Sequence, residues 1–128
     1  MSRQLTSHKV NGLNESLDIG VLDEPGPGNA CHRYVIYHPC DAFNEELNAS
    51  WVQELQFQNG PIQENGVNGV SNEALLAIVE DRLLGFQSGE YACRENAIAL
   101  TKLQEVMMWL QKRTRDRVAR GVEGTSQK

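Results

Sequence analysis

Apolar positions follow two different periods along this chain. From Ser16 to Leu22 they alternate, with Leu17, Ile19 and Val21 on one side and Asp18 and Gly20 on the other. That period of two predicts a strand. Glu24-Pro-Gly-Pro-Gly-Asn29 then predicts a turn. Cys31 to His38, rich in aromatic and β-branched residues, reads as a second strand that pairs with the first as a hairpin and ends at Pro39. Asp41 to Ala49 is a polar excursion, and Trp51 to Gln58 alternates again as a third strand. Residues 1–11 are polar and predict a frayed start. Asn59-Gly-Pro and Asn65-Gly-Val-Asn-Gly69 interrupt the chain repeatedly.

The period then changes. Ser71 suits a helix cap, with Glu73 favourably placed in the first turn. Ala74, Leu75, Ile78, Val79, Arg82 and Leu83 recur at helical spacing, and Gly85 to Gly89 closes that helix. A longer helix is predicted from Ala92 to Arg120, stopped by Gly121. Its expected apolar stripe is Ile98 or Ala99, Leu103, Val106, Met107 and Leu110. The fold class is therefore α+β: an antiparallel β region over 1–70, then an antiparallel two-helix hairpin over 71–128 with a short basic tail. At 1.5 Å per residue the two helices are about 20 Å and about 42 Å long. The longer one overhangs while still carrying Met107, Met108, Trp109 and Leu110, which predicts that a second copy of the chain covers it.

With 128 residues, 40% of them hydrophobic, the chain has one modest core's worth of sequence. No apolar run approaches the ~20 residues of a membrane span, and the start lacks the apolar stretch of a secretory signal. Cys31, Cys40 and Cys93 are an odd set without framework spacing, which suits a reducing compartment. A net charge of −5 argues against polymeric nucleic acid as a partner. The charge is also segregated. Residues 1–101 hold five basic against fourteen acidic residues, or −9; residues 102–128 hold seven against three, or +4. Lys112, Arg113, Arg115, Arg117 and Arg120 fall within nine residues. Such a cluster suits a small anion, or else simply complements a helix C-terminus.

Catalytic signatures are absent. There is no G-x-S-x-G elbow, H-E-x-x-H, P-loop or G-x-G-x-x-G. Paired carboxylates such as Glu80-Asp81 or Glu45-Glu46 are adjacent and diverge on regular elements. On a strand Cys31 faces away from His32, His38 and Cys40, in a spacing that fits no common zinc site. Neither catalytic residues, metal nor cofactor is expected. Phe86, in the inter-helix turn, is either a plug or a stacking platform for a nucleobase. Asn96, at the start of the long helix, offers both a donor and an acceptor to a base edge. Arg113, Arg117 and Arg120, at i, i+4 and i+7, share a face and suit phosphates. Asn96 and Arg113 are about 25 Å apart on one helix. If both serve one small ligand, the arginine comes from a second, antiparallel copy.

The segments G-V-S-N-E-A-L-L-A-I-V-E-D-R-L-L-G-F-Q-S-G, A-C-R-E-N-A-I-A-L-T-K-L-Q-E-V-M-M-W-L-Q-K-R-T-R-D-R and A-R-G-V-E-G-T carry a resemblance. Together they resemble the helical hairpin of phage anti-defence sponge proteins, most nearly the Thoeris anti-defence protein one family, in which a β region precedes the hairpin. The related anti-CBASS sponges resemble mainly the C-R-E-N-A-I-A-L-T-K-L-Q-E-V-M-M-W stretch. The resemblance implies a protein that sequesters cyclic nucleotide immune signals without cleaving them. The implied ligands are glycocyclic ADP-ribose made by TIR-domain proteins and, in some members, cyclic di- and trinucleotides. It implies dimers, and hexamers built as trimers of dimers, acting in the cytoplasm of the infected bacterial host. Phe86 matches the stacking aromatic, Asn96 the polar contact and Arg113 a pocket arginine; Arg117 and Arg33 are added on charge. Arg120, Gly121, Gly124 and Thr125 match a separate trinucleotide site. Two other functions stay open: an enzyme that degrades cyclic nucleotides, and a helical protein-interaction module using Met107, Met108 and Trp109.

Overall fold

A computed structural model describes residues 3–38 and 52–125. The chain divides into two compact units, 1–59 and 60–128. The first is an antiparallel sheet in the order β1 (Arg3–Leu5), β2 (Asp18–Val21), β3 (Arg33–Tyr37), β4 (Val52–Gln56). The three strand segments read from the sequence supply β2, β3 and β4, and β2 and β3 pair as the expected hairpin. Pro39, Cys40, the excursion Asp41–Ala49 and Trp51 lie outside the described residues.

The expectation of a frayed start is corrected. Arg3, Gln4 and Leu5 pair with Val21, Gly20 and Ile19. The segment behind them is anchored as well: His8 Nε2 lies 2.6 Å from the Leu17 carbonyl, and Lys9 Nζ 2.9 Å from Asp18 Oδ1. A short helix, α1 (Gly12–Ser16), is capped by Asn11 and returns the chain into β2. Because directly paired residues share a face, Leu5, Ile19, Val21, Tyr34, Ile36 and Leu55 lie together. Val21 is the buried centre, and Tyr34 meets Phe57 edge-on with ring centroids 5.5 Å apart.

Asp23 closes the β2–β3 connection. Its carboxylate accepts the backbone N–H groups of His32 (2.9 Å to Oδ2) and Arg33 (3.1 Å to Oδ1). Partial desolvation pushes its pKa up, but these two N–H groups and the nearby His32 ring outweigh it and hold the group below its ordinary 3.8. The folded state therefore binds this proton more weakly than the unfolded chain. The stabilisation is present above the ordinary value and is lost as pH falls through the lowered one. Asp23→Asn is expected to melt below the wild type at neutral pH. Melting curves at descending pH should show the gap closing below about pH 4.

The second unit holds α2 (Ile62–Asn65), α3 (Asn72–Gln87) and α4 (Arg94–Arg120). Ser71 Oγ accepts the Ala74 N–H at 3.0 Å, the cap expected from sequence. Helices α3 and α4 pack together across the turn 88–93, which Gln87 closes by accepting the Cys93 N–H at 3.0 Å. The sheltered residues of α4 are Asn96, Leu100, Leu103, Met107, Leu110, Thr114 and Arg117, in steps of four and three; α3 answers with Glu73, Leu75, Leu76, Glu80, Leu83 and Gln87. This is the 3.5-residue seam of paired helices. It corrects the expected stripe, because Ile98 and Val106 lie off the seam and are 42% and 47% exposed. Gly121, at φ 74°, ends α4 in the left-handed conformation that favours glycine.

Candidate functional site

The two ends of α4 present different chemistry. At its N-terminal end, beside the turn, Phe86 stands in the last turn of α3 and is 37% exposed. Tyr91, from the turn, meets it at 82° with centroids 6.3 Å apart. Arg82, one helical turn earlier, holds its guanidinium carbon 5.4 Å from the Phe86 ring centre. Asn96 lies in the first turn of α4. Its backbone N–H donates to Cys93 Sγ at 3.4 Å, and its side-chain amide makes no hydrogen bond among the described residues. An aromatic platform and an unengaged donor–acceptor pair therefore flank one turn. That arrangement can take a flat heterocycle and a polar edge.

At the other end, Trp109, Lys112, Arg113, Asp116, Arg117 and Arg120 line an open groove of about 300 Å³. Lys112 is neutralised by Asp116 at 2.8 Å, one turn away. Arg113 and Arg120 make no ion pair among the described residues, so the groove carries their positive charge outward. It can take a phosphate or another small anion.

Arg117 is placed differently from its neighbours. Its side chain is 8% exposed and folds under the segment that follows α4. Nε donates to Glu123 Oε1 at 2.8 Å, and Nη2 donates to the carbonyls of Val122 (2.8 Å) and Thr125 (3.0 Å). That loop also docks on α2: Gln63 Nε2 donates to the Glu123 carbonyl and Gln63 N–H to the Gly124 carbonyl, each at 3.1 Å. Gly124 sits at φ 82°, and a Cβ there would meet Ile62 at 3.1 Å and Gln63 at 3.2 Å. The structure thus gathers Arg120, Gly121, Gly124 and Thr125 at one corner, with both glycines needed for the backbone path.

Phe86 and Asn96 lie at the same end of the hairpin, and Arg113, Arg117 and Arg120 line the groove. Seventeen residues of helix, about 25 Å, separate Asn96 from Arg113 within one chain. Arg33 opens β3 in the other unit and is exposed. The approach of the Arg82 guanidinium to Phe86 and the loop partners Glu123 and Gln63 were not read from sequence. The i, i+4 spacing of Arg82 and Phe86 was a signal that could have found the first. Among the described residues no cluster of three His, Cys, Asp or Glu side chains could hold a metal. No described helix is long and apolar enough to cross a membrane.

Comparison with known proteins finds the same hairpin elsewhere. The family described as Acb2/Tad1, hairpin domain, matches residues 52–115. A protein of Bacillus phage SBSphiJ7 named Thoeris anti-defense 1 is 58% identical over 80 residues, which is 62% of this chain. The aligned stretch spans 56% of that relative's length.

Proposed function

The chain belongs to the Acb2/Tad1 hairpin-domain family, and from that premise we propose that it is a phage anti-defence protein that blocks Thoeris immunity by sequestering a cyclic nucleotide signal. The ligand class is glycocyclic ADP-ribose made by TIR-domain proteins, with cyclic di- and trinucleotides as further candidates. The supporting observation is the pairing of chemistries on one hairpin: a stacking ring and unengaged amide at one end, open cations at the other. A nucleotide gains from both, and one copy of α4 holds Asn96 and Arg113 too far apart for one small ligand. Phe86 and Asn96 of one copy and Arg113 of an antiparallel copy complete the pocket. Arg117 supports the groove from beneath, and Arg33 is an additional cation of the β region.

The exposed apolar side chains of α4 fit this assembly. Val106, Met108, Trp109 and Val118 are 47%, 53%, 60% and 60% exposed. A dimer, and a hexamer as a trimer of dimers, would cover them. Arg120, Gly121, Gly124 and Thr125 form the corner proposed for a trinucleotide. Capture without cleavage requires affinity alone. A nanomolar dissociation constant is about −12 kcal/mol. Stacking contributes about 1–3 kcal/mol per base and each charge-assisted hydrogen bond about 1.5–3 kcal/mol, so a few such contacts suffice.

Mixing the protein with glycocyclic ADP-ribose, removing free ligand and heating the complex tests this reading. Intact ligand is expected in the supernatant in stoichiometric amount. Recovery of hydrolysed product alone would instead assign an enzyme.

A further inference from the structure

The platform at the turn contains a residue that the reading above does not use. Arg82 lies one helical turn before Phe86, with its guanidinium carbon 5.4 Å from the ring centre. Its neighbours three and four residues away on α3 are Ile78, Val79, Gly85 and Phe86, so no carboxylate stands one turn off to draw it aside. Arg82 makes no ion pair among the described residues; the ring is its partner. Tyr91 meets the same ring at 82° from the turn. Phe86 is thus steadied from two directions while more than a third of it stays open.

We propose that Arg82 is a positioning residue for base recognition: its guanidinium occupies one face of Phe86 and fixes the ring plane, so that a nucleobase stacks on the other. This rests on the nucleotide-binding reading above. Three physical effects support it. The negative face of an aromatic ring attracts a cation, and the interaction survives at exposed sites. A ring already held loses less freedom when a base lands on it. The guanidinium also places an uncompensated positive charge beside the stacked base, which favours a phosphate-bearing ligand over a neutral one.

The test uses the full chain and glycocyclic ADP-ribose. Ring current from Phe86 is expected to move the Arg82 side-chain NMR signals upfield in the free protein, and Phe86→Leu removes that shift. At saturation with ligand the Arg82 shift persists, because the base takes the opposite face. Arg82→Met is expected to weaken binding about 2- to 5-fold without moving the melting temperature, and Arg82→Lys to restore part of the loss. Loss of the upfield shift at saturation, or wild-type affinity in Arg82→Met, overturns the proposal. A wild-type protein that takes up no glycocyclic ADP-ribose overturns the functional reading and the role of Arg82 with it. Normal uptake by both wild type and Arg82→Met removes only the latter.

Discussion

Phe86→Ala is expected to weaken capture of glycocyclic ADP-ribose by roughly 5- to 150-fold, the loss of one stacked base. Arg113→Ala is expected to cost a comparable factor, about 10- to 150-fold, through one charge-assisted contact. Neither change should unfold the hairpin. Phe86 is partly exposed beside the turn, and Arg113 projects from α4 without an ion pair among the described residues. The decisive form of this experiment combines them. When the two variants are co-expressed with different tags and the mixed assembly is isolated, each chain carries one lesion. In an antiparallel pair, one pocket then receives Phe86 from the Arg113→Ala chain and Arg113 from the Phe86→Ala chain. That pocket is wild type, and the other carries both lesions. Titration calorimetry should find wild-type affinity at half the stoichiometry. A pocket built within one chain predicts no recovery, since no chain in the mixture has both side chains. The geometry favours the first outcome, because about 25 Å of helix separates Asn96 from Arg113.

Much of this arrangement is legible in the sequence because it rests on local rules. The cap at Ser71, the stop at Gly121 and the strands β2, β3 and β4 follow from side-chain hydrogen bonding, backbone freedom, and a period of two or a β-branched and aromatic composition. Phe86 and Asn96 sit ten residues apart across a turn, so their placement at one end of the hairpin follows from its topology. What was not legible depends on pairing over distance. β1 is only three residues long, and Leu5 is its one apolar residue, so it has no period of its own; β2 makes it a strand. The stripe read from the sequence places Leu103, Met107 and Leu110 correctly on the seam of α4, but also Ile98 and Val106, which are as hydrophobic as Leu100. Only the opposing helix decides which of them are sheltered. Arg113, Arg117 and Arg120 look equivalent as i, i+4 and i+7. The loop that turns back over Arg117, and the docking of that loop on α2, separate it from the other two.

That separation carries the largest expected effect on stability. Arg117→Ala removes a guanidinium that is 8% exposed and leaves the Glu123 carboxylate and the carbonyls of Val122 and Thr125 without it. Breaking a fully buried ion pair costs about 3–5 kcal/mol. Glu123 is 40% exposed and recovers part of its solvation, so about 2–4 kcal/mol is expected here. Chemical denaturation should show that loss, and Arg117→Lys should recover little of it, because an ammonium cannot span a carboxylate and two carbonyls as a planar fork does. A double-mutant cycle with Glu123→Ala isolates the pair from the carbonyl contacts. Arg113, one turn earlier on the same helix, should behave in the opposite way, leaving stability unchanged while affinity falls. Two arginines four residues apart would then divide the work, one holding the loop and the other facing the anion. If Arg117→Ala kept wild-type stability and lost affinity as Arg113→Ala does, Arg117 would be a ligand contact in solution and the clamp on Glu123 would contribute little.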